Sequence, residues 1–385
     1  MLAPNRVGIP NYYSRAAFSQ RTYQRTPLDR WERRALGGPV AGAGAAMRRA
    51  AAAPVRALSG ETAAARRKVT AMGLLRMKRL GEKICMVTAH DYPSAAHVGA
   101  AGVDVALCGD SLGMVALGYA DTRPVTLDEM LHHCRAARRG LGAVGDAPLL
   151  VMDLPFGAYE ESPAVALRAA HRAVKEGGAD GVKVEGGSPR VAATVETLVD
   201  AGVAVMGHVG LTPQAVAVTG GFRAQGRTAR RARRLVDEAL ALERAGAFAV
   251  VAECVPATVG AALSRALAVP CVGIGAGPGC DGQVLVYSDL LGSLAHPHHA
   301  SHVPRFCRVF AEVGKESRRG LAAFRDAVRT GAFPSDEYSP YAMSDAEAAR
   351  FAASLARDAD RRREDSDEVR RRHIADDEYE IAKLY

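Results

Sequence analysis

Residues 181–187 read Gly-Val-Lys-Val-Glu-Gly-Gly, and this stretch is the centre of the pattern that decides the fold. Valine is β-branched and favours strands, whereas the two glycines end the apolar run. Side chains two residues apart in a strand point to the same side. Lys183 and Glu185 are therefore expected to project together, while Val182 and Val184 face another layer. A strand of a water-facing sheet alternates in the same way, so this stretch alone does not indicate a functional site. The other apolar runs of the chain provide that evidence.

The same design recurs along the chain from residue 83 onwards. Short apolar runs alternate with stretches rich in Ala, Leu and Arg, which is typical of strands and helices that build a parallel sheet. The predicted strands are 83–89, 103–109, 147–153, 181–185, 203–208, 248–253, 270–275 and 283–288. The predicted helices are 126–140, 162–177, 190–201, 229–245 and 256–268. This α/β pattern predicts a (βα)8 TIM barrel, with a doubly wound sheet as the alternative because periodicity does not reveal closure.

Polar residues stand at the carboxyl-terminal ends of these apolar runs. They are Asp91, Asp110, Ser111, Asp153, Lys183, Glu185, His208 and Glu253. In a barrel all eight carboxyl-terminal strand ends meet at one rim, where barrel enzymes hold their catalytic residues. Carboxylates, a lysine and a histidine are costly to bring together unless the protein uses them. The sequence therefore predicts an active site at this rim.

The residue types at these positions indicate a class of chemistry. Asp110, Asp153 and Glu185 supply carboxylate oxygens without a cysteine-rich partner, which favours Mg²⁺ over zinc or copper. A 2-oxo acid could chelate such an ion through its carboxylate and keto oxygens, and the ion would stabilise the enolate as a Lewis acid. Lys183 could neutralise the substrate carboxylate or the enolate oxygen. Glu253 follows three apolar residues and is the candidate general base, although a salt-bridged strand end is the alternative for that residue alone. These residues predict a metal-assisted carbon-acid enzyme.

The basic charge of the 385-residue chain is concentrated at its amino-terminal end. Residues 1–60 contain ten arginines and two acidic residues, and they account for the whole formal charge of +8. This Arg- and Ala-rich segment has no apolar stretch long enough for a secretory signal, and its composition is typical of an organellar transit peptide. A disordered or DNA-binding tail is the alternative. We expect a mitochondrial location, with the plastid as the second choice, because arginine dominates and hydroxyl residues are few.

The rest of the chain is formally neutral, which argues against a nucleic-acid partner for the working domain. Residues 61–335 are predicted to form the barrel, and residues 336–385 a charged helical extension. No stretch approaches 18 uninterrupted apolar residues, so no membrane span is predicted. The seven cysteines form no CxxC pair, which predicts reduced thiols rather than a zinc site or a disulfide framework.

Three other patterns have weaker functional interpretations. Residues 109–113 fit the G-x-S-x-G nucleophile elbow, but a hydrolase would also need a partnered histidine and acid for Ser111. Residues 277–282 fit G-x-G-x-x-G, yet Pro278 removes a phosphate-facing amide, so a tight barrel loop is favoured. The six arginines within residues 223–234 lack interleaved aromatic residues beyond one phenylalanine. An anion-binding loop followed by a solvated helix face is therefore favoured over nucleic-acid binding.

Over roughly residues 70–335 the chain resembles the ketopantoate hydroxymethyltransferase family, also called 3-methyl-2-oxobutanoate hydroxymethyltransferase. The matching stretches occur in the family's order and together are highly specific. They are VTAHDYPSA (87–95), CGDSLGM (108–114), PVTLDEML (124–131), MDLPFGAY (152–159), VKVEGG (182–187), GHVGLTPQ (207–214), GGFRAQGR (220–227), ECVPA (253–257) and GIGAGPGCDGQVLV (273–286). Residues 293–310 resemble the plant and algal branch, which agrees with an organellar leader.

The resemblance implies a barrel of the phosphoenolpyruvate/pyruvate type and a homo-oligomer, commonly a decamer. It implies transfer of a hydroxymethyl group from 5,10-methylenetetrahydrofolate to 3-methyl-2-oxobutanoate, giving 2-dehydropantoate and tetrahydrofolate in pantothenate biosynthesis. By the same resemblance, the Mg²⁺ ligands are Asp110, Asp153 and Glu185. Asp110, Ser111, Asp153 and Lys183 match contacts to the oxo acid, so Ser111 is expected to bind substrate. No nucleic-acid or membrane partner is expected.

The resemblance also extends to the candidate general base, Glu253, and to the histidine His208. Glu253 matches the family's proton acceptor, and His208 matches a histidine of the same pocket. The chain departs from the family at His90, where a tyrosine is usual, and at residues 117–121, where a His-Gly-His-Asp type stretch is common. These departures put the shape of the rim or the folate side in doubt, whereas the catalytic set is intact.

Two other functions remain as alternatives. The first is a C–C lyase or mutase of the same barrel superfamily, but the chain has no cysteine-bearing lyase motif of the KKCGH type. The second is a catalytically silent barrel that binds a metabolite or acts as a scaffold. Such a barrel would be expected to lose one of the carboxylates, and none is lost.

Overall fold

A computed structural model of the chain describes residues 67–145, 147–293, 304–338 and 341–382. The predicted transit segment, residues 1–60, lies outside the described residues, as do residues 294–303 of the plant-like stretch. The described chain starts with a short segment that leads into helix α1 (Ala71–Leu80), and the side chain of Thr70 caps this helix.

Eight parallel strands of the described chain close into a barrel in sequence order, and the first strand pairs with the last. They are β1 (Ile84–Thr88), β2 (Val105–Cys108), β3 (Leu149–Asp153), β4 (Gly181–Lys183), β5 (Val205–Gly210), β6 (Ala249–Glu253), β7 (Cys271–Ile274) and β8 (Gly282–Leu285). All eight predicted strands are present. The closure confirms the predicted (βα)8 barrel and excludes the doubly wound sheet.

Helices connect the strands around the outside of the barrel. They are α2 (Tyr92–Ala100), α3 (Leu112–Val115), α4 (Leu127–Gly142), α5 (Pro163–Lys175), α6 (Pro189–Asp200), α7 (Val216–Thr219), α8 (Ala229–Arg244), α9 (Ala257–Ala266) and α10 (Tyr287–Leu290). The five predicted helices, now α4, α5, α6, α8 and α9, are present with ends within two residues of the prediction. Ser or Thr side chains cap α4, α5, α6 and α8, which explains why these helices begin where they do.

Two strands end two or more residues before the predicted end. Strand β4 ends at Lys183, because the next residues adopt a bend in which Gly186 has a φ of +96°. Gly186 nevertheless donates its N–H to the His208 carbonyl at 2.8 Å, so the chain stays beside β5. Strand β8 ends at Leu285, where the sequence predicted a strand through residue 288. The N–H of Tyr287 donates to the Thr88 hydroxyl at 2.9 Å as α10 begins.

Apolar side chains form one layer inside the barrel and another between the strands and the helices. Alternate strand residues fill the inside, among them Met86, Val105, Leu107, Val151, Met206, Val251 and Val272. The intervening strand residues pack with the helices in the outer layer, among them Ala106, Leu150, Met152, Val182, Val250 and Ala252. Strands that are buried on both faces need continuous apolar runs, and this is the pattern of the sequence.

Two further helices follow the barrel, α11 (Val313–Thr330) and α12 (Asp345–Ala382). Helix α11 carries large apolar side chains that are exposed, among them Leu321, Phe324 and Val328. Helix α12 is rich in charged residues along its length. Among the described residues, no helix is both long and apolar enough to cross a membrane.

Candidate active site

Three of the predicted site residues point into the barrel at its carboxyl-terminal rim. Asp153, His208 and Glu253 each stand two residues after a side chain of the inner layer. Since strand side chains alternate, the polar group continues the inward row at the open end of the barrel. The corresponding inner residues are Val151, Met206 and Val251.

Lys183 forms the centre of a buried cluster of charged groups. Its Nζ lies 2.5 Å from Asp153 Oδ1 and 4.0 Å from Glu185 Oε1. The other oxygen of Asp153 accepts the backbone N–H of Asp110 at 3.0 Å. All four residues are at most 6% exposed. Burial of charges is tolerated only when they are paired, so the sequence pattern at residues 181–185 has its reason in this cluster.

Two residues that the sequence analysis did not assign complete the cluster, Gln214 and Tyr159. The Gln214 amide donates to Asp110 Oδ2 at 2.8 Å and to the Leu154 carbonyl at 3.0 Å, and its backbone N–H donates to Glu185 Oε2 at 3.0 Å. The Tyr159 hydroxyl lies 2.6 Å from Gln214 Oε1 and accepts the N–H of Glu185 at 3.2 Å. Both lie in loops beyond strand ends, and their only signal in the sequence was their place in the family-like stretches.

His208 links the lysine cluster to Glu253. Its Nδ1 lies 3.4 Å from Glu185 Oε1, and its Nε2 lies 3.3 Å from Glu253 Oε2. Neither ring nitrogen forms a hydrogen bond in the part of the chain that the structure describes, so these are ion-pair contacts. The ring is 1% exposed, whereas the Glu253 side chain is 17% exposed. Glu253 is therefore the most exposed member of this row.

The pKa values of the cluster follow from burial and from crowding of like charges. Burial and the nearby Asp153 and Glu185 carboxylates raise the pKa of Asp110 well above its usual value. Burial alone would lower the pKa of Lys183, but the three carboxylates outweigh it and raise that pKa. Burial likewise opposes the charge on His208, yet Glu185 and Glu253 raise its pKa to about 9. The imidazole is therefore a cation at neutral pH in this arrangement.

Ser111 stands at the start of the short helix α3 beside the cluster. Its side chain makes no capping hydrogen bond, so the hydroxyl is not used to begin the helix. A methyl group built on Gly109 would lie 3.4 Å from both Ser111 Oγ and Asp153 Oδ2, so both atoms flank one point of the rim. No hydrogen bond joins Ser111 to a histidine within the described chain, and the hydrolase alternative gains no support.

Not every polar residue at a strand end belongs to this cluster. Asp91 caps helix α2, where its side chain accepts the N–H of Ser94 at 2.8 Å. The divergent His90 lies beside Asp91, at 3.8 Å between Nε2 and Oδ2, and beside the ring of Tyr287. Burial lowers the pKa of His90. Within the described chain, the contacts of Asp91 are those of a helix cap beside His90, and its convergence with the other carboxylates stays a prediction.

The other divergent stretch, residues 117–121, is held by contacts to residues that follow it in the chain. The Tyr119 hydroxyl donates to Glu129 Oε1 at 2.7 Å, and Asp121 pairs with Arg123 at 2.6 Å. The G-x-G-x-x-G stretch is also structural. A side chain at Gly277 or Gly279 would collide with helix α9, so these glycines allow close packing, as the loop interpretation predicts.

The donor set of the cluster suits a hard divalent cation. Asp110, Asp153 and Glu185 offer buried carboxylate oxygens, and their crowding raises the pKa of Asp110, so a cation among them would relieve repulsion. As they stand, each carboxylate contacts a protein donor, and no three His, Cys, Asp or Glu of the described residues are arranged to hold a metal. The residues fit such an ion in the chemistry of their donor atoms.

The fold and the site together define a barrel enzyme with its reacting groups at the carboxyl-terminal rim. A family model described as ketopantoate hydroxymethyltransferase matches residues 68–336. The chain belongs to this family. It accordingly has ketopantoate hydroxymethyltransferase activity, a step of pantothenate biosynthesis, as the sequence resemblance predicted.

Curated relatives from plants and bacteria agree with this assignment. The mitochondrial 3-methyl-2-oxobutanoate hydroxymethyltransferase 1 of Oryza sativa subsp. japonica is 52% identical over 289 residues, 75% of this chain and 78% of that protein. Its counterpart from Arabidopsis thaliana is 50% identical, over 75% of this chain and 82% of that protein. The enzyme of Heliobacterium modesticaldum is 48% identical, over 72% of this chain and 97% of that protein.

Solved structures with a similar backbone include other barrel enzymes. A putative phosphonomutase from Burkholderia cenocepacia is 17% identical, with a TM-score of 0.47 over 66% of this chain and 98% of that chain. A 2,3-dimethylmalate lyase, described as a member of the PEP mutase/isocitrate lyase superfamily, is 15% identical, with a TM-score of 0.44 over 75% of this chain and 98% of that chain. The barrel assignment rests on the strand pairing of this chain rather than on these likenesses.

Proposed function

We propose that the enzyme transfers a hydroxymethyl group from 5,10-methylenetetrahydrofolate to 3-methyl-2-oxobutanoate, and that Glu253 starts the reaction as the general base. The products are 2-dehydropantoate and tetrahydrofolate. The observation that carries the proposal is the continuous row of contacts from Asp153 through Lys183, Glu185 and His208 to Glu253. In this row a partly exposed carboxylate lies beside the buried His208 cation, which adjoins the Lys183 cluster. Proton removal next to a carbonyl group needs both.

In this mechanism Glu253 removes the C3 proton of the oxo acid. The electron pair of the broken C–H bond moves toward the C2 oxygen, and C3 then forms the new C–C bond to the methylene carbon of the folate. Over the whole reaction both C–N bonds of that carbon break, and water supplies the hydroxyl oxygen of the new CH2OH group. The C3 proton and one proton of the water go to the two folate nitrogens. The ammonium group of Lys183 stabilises the negative charge that develops on the substrate oxygens. Ser111, Asp110 and Asp153 are proposed to orient the oxo acid, and His208 keeps Glu253 in place through its ring cation.

Asp110, Asp153 and Glu185 are proposed to hold Mg²⁺. When bound, the ion would supply Lewis-acid stabilisation of the substrate oxygens. The carboxylates themselves have a second task in this account, because they keep Lys183 charged within a buried site. Support comes from the oxygen-only donor set and from the raised pKa of Asp110.

We further propose a mitochondrial location and a homo-oligomer, commonly a decamer in the family. The location is supported by the arginine-rich residues 1–60 and by plant relatives whose names include "mitochondrial"; the plastid is the alternative. Residues 61–335 are proposed as the catalytic domain, since the family match spans 68–336, and residues 336–385 as an appended helical extension.

A Glu253→Gln variant tests the role of the base, because glutamine keeps the size of the side chain and loses the proton acceptor. We expect the exchange of the C3 hydrogen of 3-methyl-2-oxobutanoate in deuterated water to fall by about 100- to 10,000-fold. Binding of the oxo acid should be retained. Proton NMR of the C3 signal gives the exchange rate, and calorimetric titration gives the affinity.

Glu196→Gln is the matched control, since Glu196 is exposed on α6 and lies outside the site. Its exchange rate should equal that of the unchanged protein. If Glu253→Gln also exchanges at the normal rate, Glu253 is not the base. Loss of oxo-acid binding in Glu253→Gln would instead give this residue a binding role.

A further inference from the structure

A cleft of about 900 Å³ opens beside the active-site rim, between the loop after β5 and the start of α8. A cavity of this volume is large enough for a small organic ligand. The residues that line it include Gly210, Arg223, Gln225, Arg227, Arg231, Arg234 and Glu238. Four arginines thus share one cleft, and the proposed mechanism uses none of them.

The wall of the cleft is continuous with the backbone that carries Glu253. Gly210 lines the cleft and is the register partner of Glu253 between β5 and β6. The N–H of Leu211 donates to the Glu253 carbonyl at 2.9 Å, and the N–H of Gln225 donates to the Cys254 carbonyl at 2.9 Å. The cleft and the proposed base therefore share neighbouring backbone at the ends of β5 and β6.

The charges of the cleft are unevenly balanced. Arg234 pairs with Glu238 at 2.8 Å, so the acidic group of the cleft is already neutralised. In the described parts of the chain, Arg223, Arg227 and Arg231 form no ion pair. The lack of an ion pair at a single arginine is explained by an exposed, solvated helix face. Here three such arginines line the same cleft. Arginine binds carboxylates through two parallel hydrogen bonds, so the cleft fits a ligand that carries several carboxylates.

We infer that this cleft binds the glutamate carboxylates of the folate co-substrate, through Arg223, Arg227 and Arg231. The inference rests on the proposed function, which brings the folate methylene to the rim beside Glu253. The tail of a folate ends in glutamate, and each further glutamate of a polyglutamyl tail adds a carboxylate. With its methylene at the rim, the tail extends away from the reacting atoms, and the adjoining arginine cleft offers the opposite charge.

An Arg227→Gln/Arg231→Gln variant of the full chain tests this inference. Steady-state rates are measured with the monoglutamyl and the pentaglutamyl forms of 5,10-methylenetetrahydrofolate. We expect the KM for the pentaglutamyl form to rise on the order of tenfold, and the KM for the oxo acid to stay unchanged. The KM for the pentaglutamyl form should also rise with salt in the unchanged protein, because the pairs are exposed and screened.

Arg230→Gln is the matched control, since Arg230 lies on the same helix and does not line the cleft. Its KM values should equal those of the unchanged protein. An unchanged KM for the pentaglutamyl form in the double variant would overturn the inference, as would an equal rise in Arg230→Gln. Exchange of the C3 hydrogen without folate is measured on the same samples. Its absence in the unchanged protein would contradict the proposed function itself, so the two failures are distinguishable.

Discussion

Gly210 and Cys254 fix the backbone of Glu253 from two sides. Gly210 has a φ of +102°, and a methyl group built on it would lie 2.2 Å from the Glu253 carbonyl oxygen. Cys254 has a φ of +50°, a conformation that no other non-glycine residue of the described chain adopts. Such a backbone costs roughly 1–3 kcal/mol and persists where the surrounding structure requires it. The strained residue Cys254 directly follows the proposed base. The backbone geometry therefore sets the direction of the Glu253 side chain.

A Gly210→Ala variant should therefore lose both stability and activity. The unfavourable backbone and the overlap with Glu253 together should lower the free energy of unfolding by about 2–5 kcal/mol. Displacement of Glu253 should also lower kcat, and urea unfolding and steady-state rates measure the two effects.

Gly202→Ala serves as the control, because Gly202 has a φ of +85° with no atom near the added methyl group. It should lose only about 1–2 kcal/mol of stability and keep its kcat. An equal loss of kcat in both variants would mean that Gly210 does not act through the position of Glu253.

For individual residues, the sequence predicts the charged groups of the site better than the polar side chains that hydrogen-bond to them. Asp110, Asp153, Lys183 and Glu185 do converge, because each stands at or just beyond the end of an apolar run. Gln214 and Tyr159 could not be assigned, because an amide and a phenol in loops have no characteristic spacing. Their importance comes from long-range hydrogen bonds that join three separate loops.

Among the elements, β3, β4 and α4 are joined by one carboxylate, Asp180, at the amino-terminal ends of the strands. Asp180 Oδ2 lies 2.8 Å from Lys68 and 2.8 Å from Arg138, and it accepts the N–H of Leu150 at 2.8 Å. Burial would raise the pKa of Asp180, but these three donors outweigh burial and lower it. The charged form is therefore stabilised in the folded protein.

The protein should accordingly lose this contribution in acid. Because the pKa of folded Asp180 lies below its ordinary value of 3.8, the contribution is complete above that pH and is lost as pH falls through the folded-state value. An Asp180→Asn variant should be about 1–3 kcal/mol less stable at pH 7. The difference from the unchanged protein should narrow below pH 3.8, as circular dichroism during urea unfolding would show.

Asp128→Asn is the control for Asp180→Asn. Asp128 also pairs with an arginine, Arg172, but its side chain is 80% exposed. Exposed pairs contribute little, so its stability should hardly change at any pH. A stability difference for Asp180→Asn that does not vary with pH would contradict the assignment to this carboxylate.

The prediction of elements succeeded where a run was long and uniform. The strands were found because both of their faces are buried, and the five long helices because an apolar stripe alternates with charged residues. Helix α2 was not predicted, since Tyr92–Ala100 is short and contains Pro93 and Gly99. It forms because it packs closely on α4, where a side chain at Gly140 would collide with the Tyr92 carbonyl.

For the whole molecule, closure of the barrel is the property that the sequence alone did not determine. A period of two describes one strand and carries no information about the pairing of β1 with β8, which joins Ile84 to Gly282. The family-like stretches supplied that knowledge before the structure confirmed it. Closure brings the strand ends into one rim, and this explains how residues from β2 to β6 form one buried cluster.

The central claim is that this rim enolises the oxo acid with the help of a divalent ion. The most direct measurement is exchange of the C3 hydrogen of 3-methyl-2-oxobutanoate in deuterated water, with the full-length protein, with and without Mg²⁺, and without folate. The account predicts exchange that requires both the protein and Mg²⁺. No exchange from the folded protein in the presence of Mg²⁺, or exchange at the same rate after the metal is removed, would contradict it.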